Sequence, residues 1–110
     1  MTFKQVAKMI RDIGLPYSYY QFDNKTAVPP PFICYFYEGG NDVLADNSNY
    51  QKVETLIVEL YTDDKDFTHE AAIESALNGA GLVYSREETF IDSEKMHEVI
   101  YTCGVVIMEG

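Results

Sequence analysis

An α+β fold is predicted: a mainly antiparallel sheet of about five or six strands with two helices packed on one face. Three observations predict it. The stretch Tyr50 to Tyr61 has the β-branched and aromatic content of a long strand. Two stretches, one following Thr2 and one following Asp66, carry apolar residues at helical spacing behind capping residues. The remaining apolar runs are short and bounded by Gly, Pro, Asn and Asp, so helices and strands are segregated rather than alternating. The predicted order is helix, strand, strand, a short optional strand, the long strand, helix and a final hairpin. A chain of 110 residues reads as one domain, residues 1–110, large enough to bury a core and too small for two.

Thr2 followed three places later by Gln5 forms a capping box, and Phe3, Val6, Ala7, Ile10 and Ile13 recur at helical spacing until Gly14. Lys4, Lys8, Arg11 and Asp12 fall on the solvated side. Tyr17 to Phe22 reads as a short strand whose aromatics either pack on the helix or form an interface. The prolines after Val28 are a stiff lead-in to Phe32–Tyr37, apolar enough to be buried on both faces. Glu38 to Asp42, with its Gly-Gly pair, reads as a reversing turn, and Val43–Ala45 as a brief return strand. No phosphate-loop pattern surrounds the glycines. Asp46–Asn49 reads as a turn, since it lacks the alternating oxygens, central glycine and closing glutamate of a calcium loop.

In the long strand, Leu56, Val58 and Leu60 share one face, while Val53, Thr55, Ile57, Glu59 and Tyr61 share the other. Both faces are expected to be partly covered. The second helix is predicted from Phe67 to about Asn78, capped by Asp66 or Thr68 and ended by Gly79 and Gly81. Its expected buried side is Phe67, Ala71, Ala76, Leu77 and Ala80. Leu82–Ile91 and Met96–Ile107 form a hairpin through Asp92-Ser93, with Arg86-Glu87-Glu88 and His97-Glu98 at an exposed end.

The net charge is −10, from 18 acidic and 8 basic residues. That balance argues against a phosphate-backbone binder, which needs a positive patch, and so against direct sequence-specific nucleic-acid binding. It accords with solubility, or with pairing to a basic protein surface. Cys34 and Cys103 have no C-x-x-C spacing and no His cluster beside them, and read as small core residues. The start lacks a signal-peptide pattern and no apolar run approaches the ~20 residues of a bilayer span, so a cytoplasmic fold away from membranes is expected. His69 falls in a helix's first turn, and His97 and Glu98 point to opposite faces of a strand, which makes them a poor acid/base pair. No enzyme activity, cofactor or metal is predicted.

Several segments together carry a resemblance. Pro31-Phe32-Ile33-Cys34-Tyr35, then Ala45-Asp46-Asn47 with Tyr50, then Glu59-Leu60-Tyr61-Thr62-Asp63 with Lys65-Asp66, and finally Glu88-Thr89-Phe90-Ile91 with Glu94 and Glu98-Val99-Ile100-Tyr101, are the carriers. In these the chain resembles the tail-completion, tail-terminator or tail-to-head joining proteins of long-tailed phages and prophages of Gram-positive bacteria. The resemblance implies a structural protein of the virion at the head-tail junction, assembled in the host cytoplasm. It implies self-association into a ring, typically hexameric, that ends the tail tube, with the major tail tube protein and head connector proteins as partners. The competing reading is a small acidic adaptor that binds one basic protein. Loops on a rigid sheet are the expected contacts: Glu38 and Asp42, then Asp46, Asn47 and Tyr50, then Asp63, Asp64 and Asp66.

Overall fold

The computed structural model describes residues 1–22, 28–44 and 50–108, with side chains outside 40–44 and 50–52. Helix α1 spans Phe3–Asp12 and α2 spans Phe67–Gly79. The strands are β1 (Tyr17–Tyr19), β2 (Phe32–Leu44), β3 (Tyr50–Thr62), β4 (Tyr84–Ile91) and β5 (Met96–Ile107). Among the described residues these form one five-stranded sheet in the order β1-β2-β3-β5-β4. The fold is α+β as expected, with β3 at the centre. The sheet is mixed rather than wholly antiparallel: β1 runs parallel to β2, and the pairs β2–β3, β3–β5 and β4–β5 are antiparallel.

Both helices start where local chemistry dictates. The Thr2 hydroxyl accepts from the Gln5 N–H at 3.1 Å, and the Gln5 side-chain oxygen accepts from the Thr2 N–H at 2.9 Å. Two otherwise orphaned donors are thereby satisfied. Asp66 caps α2, accepting from the His69 N–H at 3.0 Å, and its carboxylate also meets the His69 ring. Val6 and Ile10 of α1 and Ile73 and Leu77 of α2 enter one core with Ile33, Tyr35, Leu56, Val58, Leu60, Val99, Tyr101 and Cys103. The register puts these strand residues on a single face, so both helices cover the same side of the sheet.

Three local expectations are corrected. Glu38–Asp42 is not a reversing turn and Val43–Leu44 is not a separate return strand. β2 runs through them, because Gly39 at φ +59 absorbs a register shift between Tyr37 and Gly40 and pairing with β3 resumes. Ala45 lies outside the described residues. In α2, Phe67 is 72% exposed and Ala71 is also exposed, whereas Glu70, Ile73 and Leu77 are buried. The helix is rotated to place a carboxylate, not Phe67, against the sheet, because cations wait there for it. Finally, the strand after Leu15-Pro16 stops at Tyr19, since Tyr20 takes a left-handed φ of 74° that leaves strand geometry.

Cys34 and Cys103 are both buried and free, on opposite faces of the sheet, as core residues.

Candidate functional site

The residues expected to form contacts do not converge. Asp63 and Asp64 are exposed in the β3–α2 loop, at the end of the sheet where Phe32 pairs with Tyr61. Asp66 is occupied as the α2 cap, and its carboxyl is held below the usual range by the hydrogen bonds from His69. Glu38 is exposed on β2, Asp42 pairs in the ladder with Lys52, and Tyr50 pairs with Leu44 at the far end. Asp46 and Asn47 lie outside the described residues. With twelve steps along the strand, the two ends are about 40 Å apart.

The helix-covered face carries an ionic cluster. Glu70, with its side chain 3% exposed, lies 2.8 Å from Lys65 Nζ and 2.9 Å from Arg86 Nη1. Arg86 also reaches Glu74 at 3.4 Å and Glu88 at 3.2 Å, and Lys65 reaches Glu88. The Tyr101 hydroxyl donates to Glu74 at 2.8 Å. His97 projects to this face and lies 3.3 Å from Glu88, while its neighbour Glu98 projects to the other. The two therefore do not form a pair. The cluster ties α2 to β4 and β5, each buried anion meeting its own cations.

The opposite face is built differently. β2 contributes Phe32, Cys34 and Phe36 there, β3 contributes Ile57, Glu59 and Tyr61, and β5 contributes Met96 and Glu98. The chain leaving β1 crosses onto this side. The Tyr20 N–H donates to Tyr35 O at 2.7 Å, the Ser18 hydroxyl donates to Gln21 O at 2.9 Å, and Tyr20 takes the positive φ noted above. That backbone conformation costs roughly 1–2 kcal/mol in a non-glycine residue. It sets the Tyr20 ring 5.0 Å from Phe36 and, two residues on, the Phe22 ring 5.2 Å from Phe32, which stacks in turn on Tyr61 at 4.9 Å. Between these rings and the sheet lies a cavity of 530 Å³, with Cys34 and Glu59 among its lining and Glu94 and Met96 at one end.

At this site two carboxyls meet. Glu59 and Glu98 are diagonal neighbours across the β3–β5 ladder, close enough for their side chains to meet, and the Tyr61 hydroxyl donates to Glu59 at 3.2 Å. Glu98 is only 8% exposed. Burial first, and the neighbouring Glu98 second, push the Glu59 carboxyl up to about 7. A second carboxyl beside it in a desolvated site disfavours the charged form, so Glu59 holds its proton into the neutral range. Burial and the charge on Glu59 also raise the Cys34 thiol to about 11, far from a reactive thiolate.

Sequence reasoning placed Glu59 on this face and Glu98 at an exposed end, and did not bring them together. The available signal was a single acid interrupting the apolar pattern of each strand. Their meeting depends on the β3–β5 register, which pairs Tyr61 with Glu98 and Glu59 with Ile100.

A second hollow of 440 Å³ lies between the start of α1 and the β1–β2 edge, lined by Phe3, Tyr19, Tyr35, Tyr37 and Glu54. The Tyr37 hydroxyl is buried there without a hydrogen-bond partner. Among the described residues no helix is long and apolar enough to cross a membrane, and no three His, Cys, Asp or Glu side chains are grouped to hold a metal ion.

No protein-family model and no curated protein sequence matches the chain. Among solved structures, a chain from the virion of a native gene transfer agent particle is similar over 94% of this chain and 88% of its own. The TM-score is 0.54 at 12% sequence identity, which makes the likeness one of fold.

Proposed function

We propose that this chain is a structural protein of a phage-like virion, acting at the head-tail junction as a ring that ends the tail tube and joins it to the head connector. The observation that carries the reading is the near full-length likeness of fold to a chain of a virion particle. The segments in which the chain resembles tail-completion and tail-terminator proteins support the same reading. The body measures 50 × 28 × 24 Å, with the β2–β3 hairpin opening at one end of the sheet and the acidic Asp63–Asp66 loop at the other. A subunit with distinct ends suits contact with tube on one side and connector on the other. In this reading Glu38, Asp42 and Tyr50 belong to one contact and Asp63 and Asp64 to the other.

A second reading is a small acidic adaptor for one basic protein. The net charge of −10 and the acidic groove favour it.

Mixing the purified protein with polymerising tail-tube protein from the same genome, and viewing the tubes by electron microscopy, separates them. Shortened tubes with a ring at one end are expected. Tubes of unchanged length with bare ends, given folded protein, would overturn the terminator role. A discrete one-to-one complex with a basic protein would then favour the adaptor.

A further inference from the structure

Two strands of the sheet outrun the neighbour on their outer side, and only one of the overhangs is closed from within. β4 stops pairing with β5 at Tyr84, opposite Cys103, and Met1 takes the edge beyond. Its ammonium donates to Val106 O at 3.0 Å, and the Met108 N–H donates to Met1 O at 2.7 Å. β2 is treated differently. Along its outer edge the Ile33 N–H donates to Pro16 O at 2.8 Å, and Tyr35 O accepts from the Tyr20 N–H at 2.7 Å. Outward groups recur at every second residue of a strand, so Tyr37 is next. By then β1 has left the edge, because the left-handed Tyr20 carries the chain onto the open face. Among the described residues the Tyr37 N–H meets the Tyr19 side-chain hydroxyl alone, at 3.4 Å, well beyond the usual length of about 2.9–3.0 Å. β2 then continues to Leu44 with β3 as its one ladder partner among the described residues.

Tyr37 is short of a partner at its other end too. Its hydroxyl is buried without a hydrogen bond among the described residues, and the side chain forms part of the 440 Å³ hollow lined also by Phe3, Tyr19, Tyr35 and Glu54. One residue therefore joins an underserved strand edge to a side-chain pocket.

We propose that this edge accepts an extended segment of a partner protein as an added strand, with one lysine side chain of that segment in the hollow. An edge N–H without a backbone acceptor is a template for strand addition, in which main-chain hydrogen bonds hold the segment and a pocket beside the edge selects a side chain. The incoming carbonyl replaces the Tyr19 hydroxyl on the Tyr37 N–H. Three features of the hollow select lysine. Aromatic walls suit its four-carbon stem and attract its charge. Its ammonium donates to the Tyr37 hydroxyl and relieves a buried polar atom; a single acceptor suits that compact donor better than a forked guanidinium. Glu54, 8% exposed, adds a carboxylate to the lining, and the net charge of −10 steers a basic segment toward it. The inference concerns this edge and holds for either role proposed above, so failure of tube capping leaves it standing.

The test is a two-dimensional NMR titration of the whole chain with acetyl-Thr-Val-Lys-Val-Thr-amide. Three further peptides carry leucine or glutamate in place of the lysine, or prolines in place of the valines. Expected are saturable shifts at β1, β2 and the start of α1, tightest for lysine, weaker for leucine, and absent for the glutamate and proline peptides. Hydrogen exchange of the Tyr37 amide is expected to slow in the complex. Tyr37→Phe, which keeps the ring, is expected to weaken the lysine peptide about tenfold, the loss of one hydrogen bond to a charged group, and to leave the leucine peptide unchanged. Tyr19→Phe is expected to speed Tyr37 amide exchange in the free protein while peptide binding stays intact, since the peptide supplies the acceptor; it guards against a fold defect in the first variant. No shift with folded protein, shifts away from this edge, equal binding of the lysine, leucine and glutamate peptides, or undiminished binding of the proline peptide would each overturn the proposal. So would Tyr37 exchange unchanged by binding, or equal losses for the lysine and leucine peptides in Tyr37→Phe.

Discussion

Glu59 and Glu98 meet as diagonal neighbours across the β3–β5 ladder, since Tyr61 lies opposite Glu98 and Ile100 opposite Glu59. Side chains in that relation are about 7–8 Å apart at the backbone, within reach of two glutamates. Glu59 lines the aromatic-walled groove, and neither carboxylate forms an ion pair among the described residues.

This relationship sets a pH dependence of stability. Glu59 titrates near 7 in the fold, above its ordinary value of 4.5, so the folded state binds more protons between those limits. Its contribution is fully present below about pH 4.5 and is lost as pH rises through about 7. The effect is about 3 kcal/mol unscreened, and about 1 kcal/mol once solvent reaching this half-buried group is allowed for. Urea unfolding at pH 5, 6, 7 and 8 should show stability falling, and Glu59→Gln should flatten that slope. A wild-type slope of zero or opposite sign in this window would refute the assignment.

Asp66, one of the two residues expected to cap α2, is its cap. Asp66→Ala should cost about 1 kcal/mol, which in a domain of this size lowers Tm by about 4–8 °C. Asp66→Asn keeps an acceptor and should recover most of the loss. Calorimetry on the two variants decides.

The rotation of α2 predicts an inverted pattern of substitution effects. Phe67→Ala, at an exposed position whose ring lies 5.0 Å from Lys65 Nζ, should change stability by no more than about 0.5 kcal/mol. Ile73→Ala should cost about 2–5 kcal/mol, because a fully buried branched side chain leaves a cavity. Chemical denaturation of the two variants measures both. A larger loss at Phe67 than at Ile73 would refute the helix orientation.

Glu70 joins Lys65 and Arg86, so removing one cation leaves a buried anion underpaired. Arg86→Ala should cost about 2 kcal/mol. In a double-mutant cycle with Glu70→Gln the two losses should fail to add, with a coupling of at least about 0.5 kcal/mol. Additive losses would show that the 2.9 Å contact contributes nothing.

Much of the fold was readable in one dimension. The Thr2–Gln5 box, the Asp66 cap and the long alternation from Tyr50 each act within a few residues, so sequence spacing carries them completely. The α+β class and the placement of both helices on one face followed from that. Glu38–Asp42 misled because Gly, Asn and Asp favour turns locally, whereas a bulge at Gly39 lets β3 keep the strand paired through them.

The candidate site was much less legible. Periodicity alone put Glu59 and Tyr61 on the face away from Leu56, Val58 and Leu60, because strand alternation is a local rule. Whether Glu98 joins them depends on a register between strands separated by a helix and a hairpin. Whether aromatics roof them depends on one left-handed residue, Tyr20, after a strand of three. The buried face of α2 was decided in the same way, by Lys65 and Arg86 arriving from outside the helix to meet Glu70. By itself the sequence determined both helices and where they begin, the strands β3 and β5, and which of their residues share a face, since those choices are made among near neighbours. Only the tertiary structure decided which acids have cations and which have only each other, because a charge's partner is set by packing between distant segments.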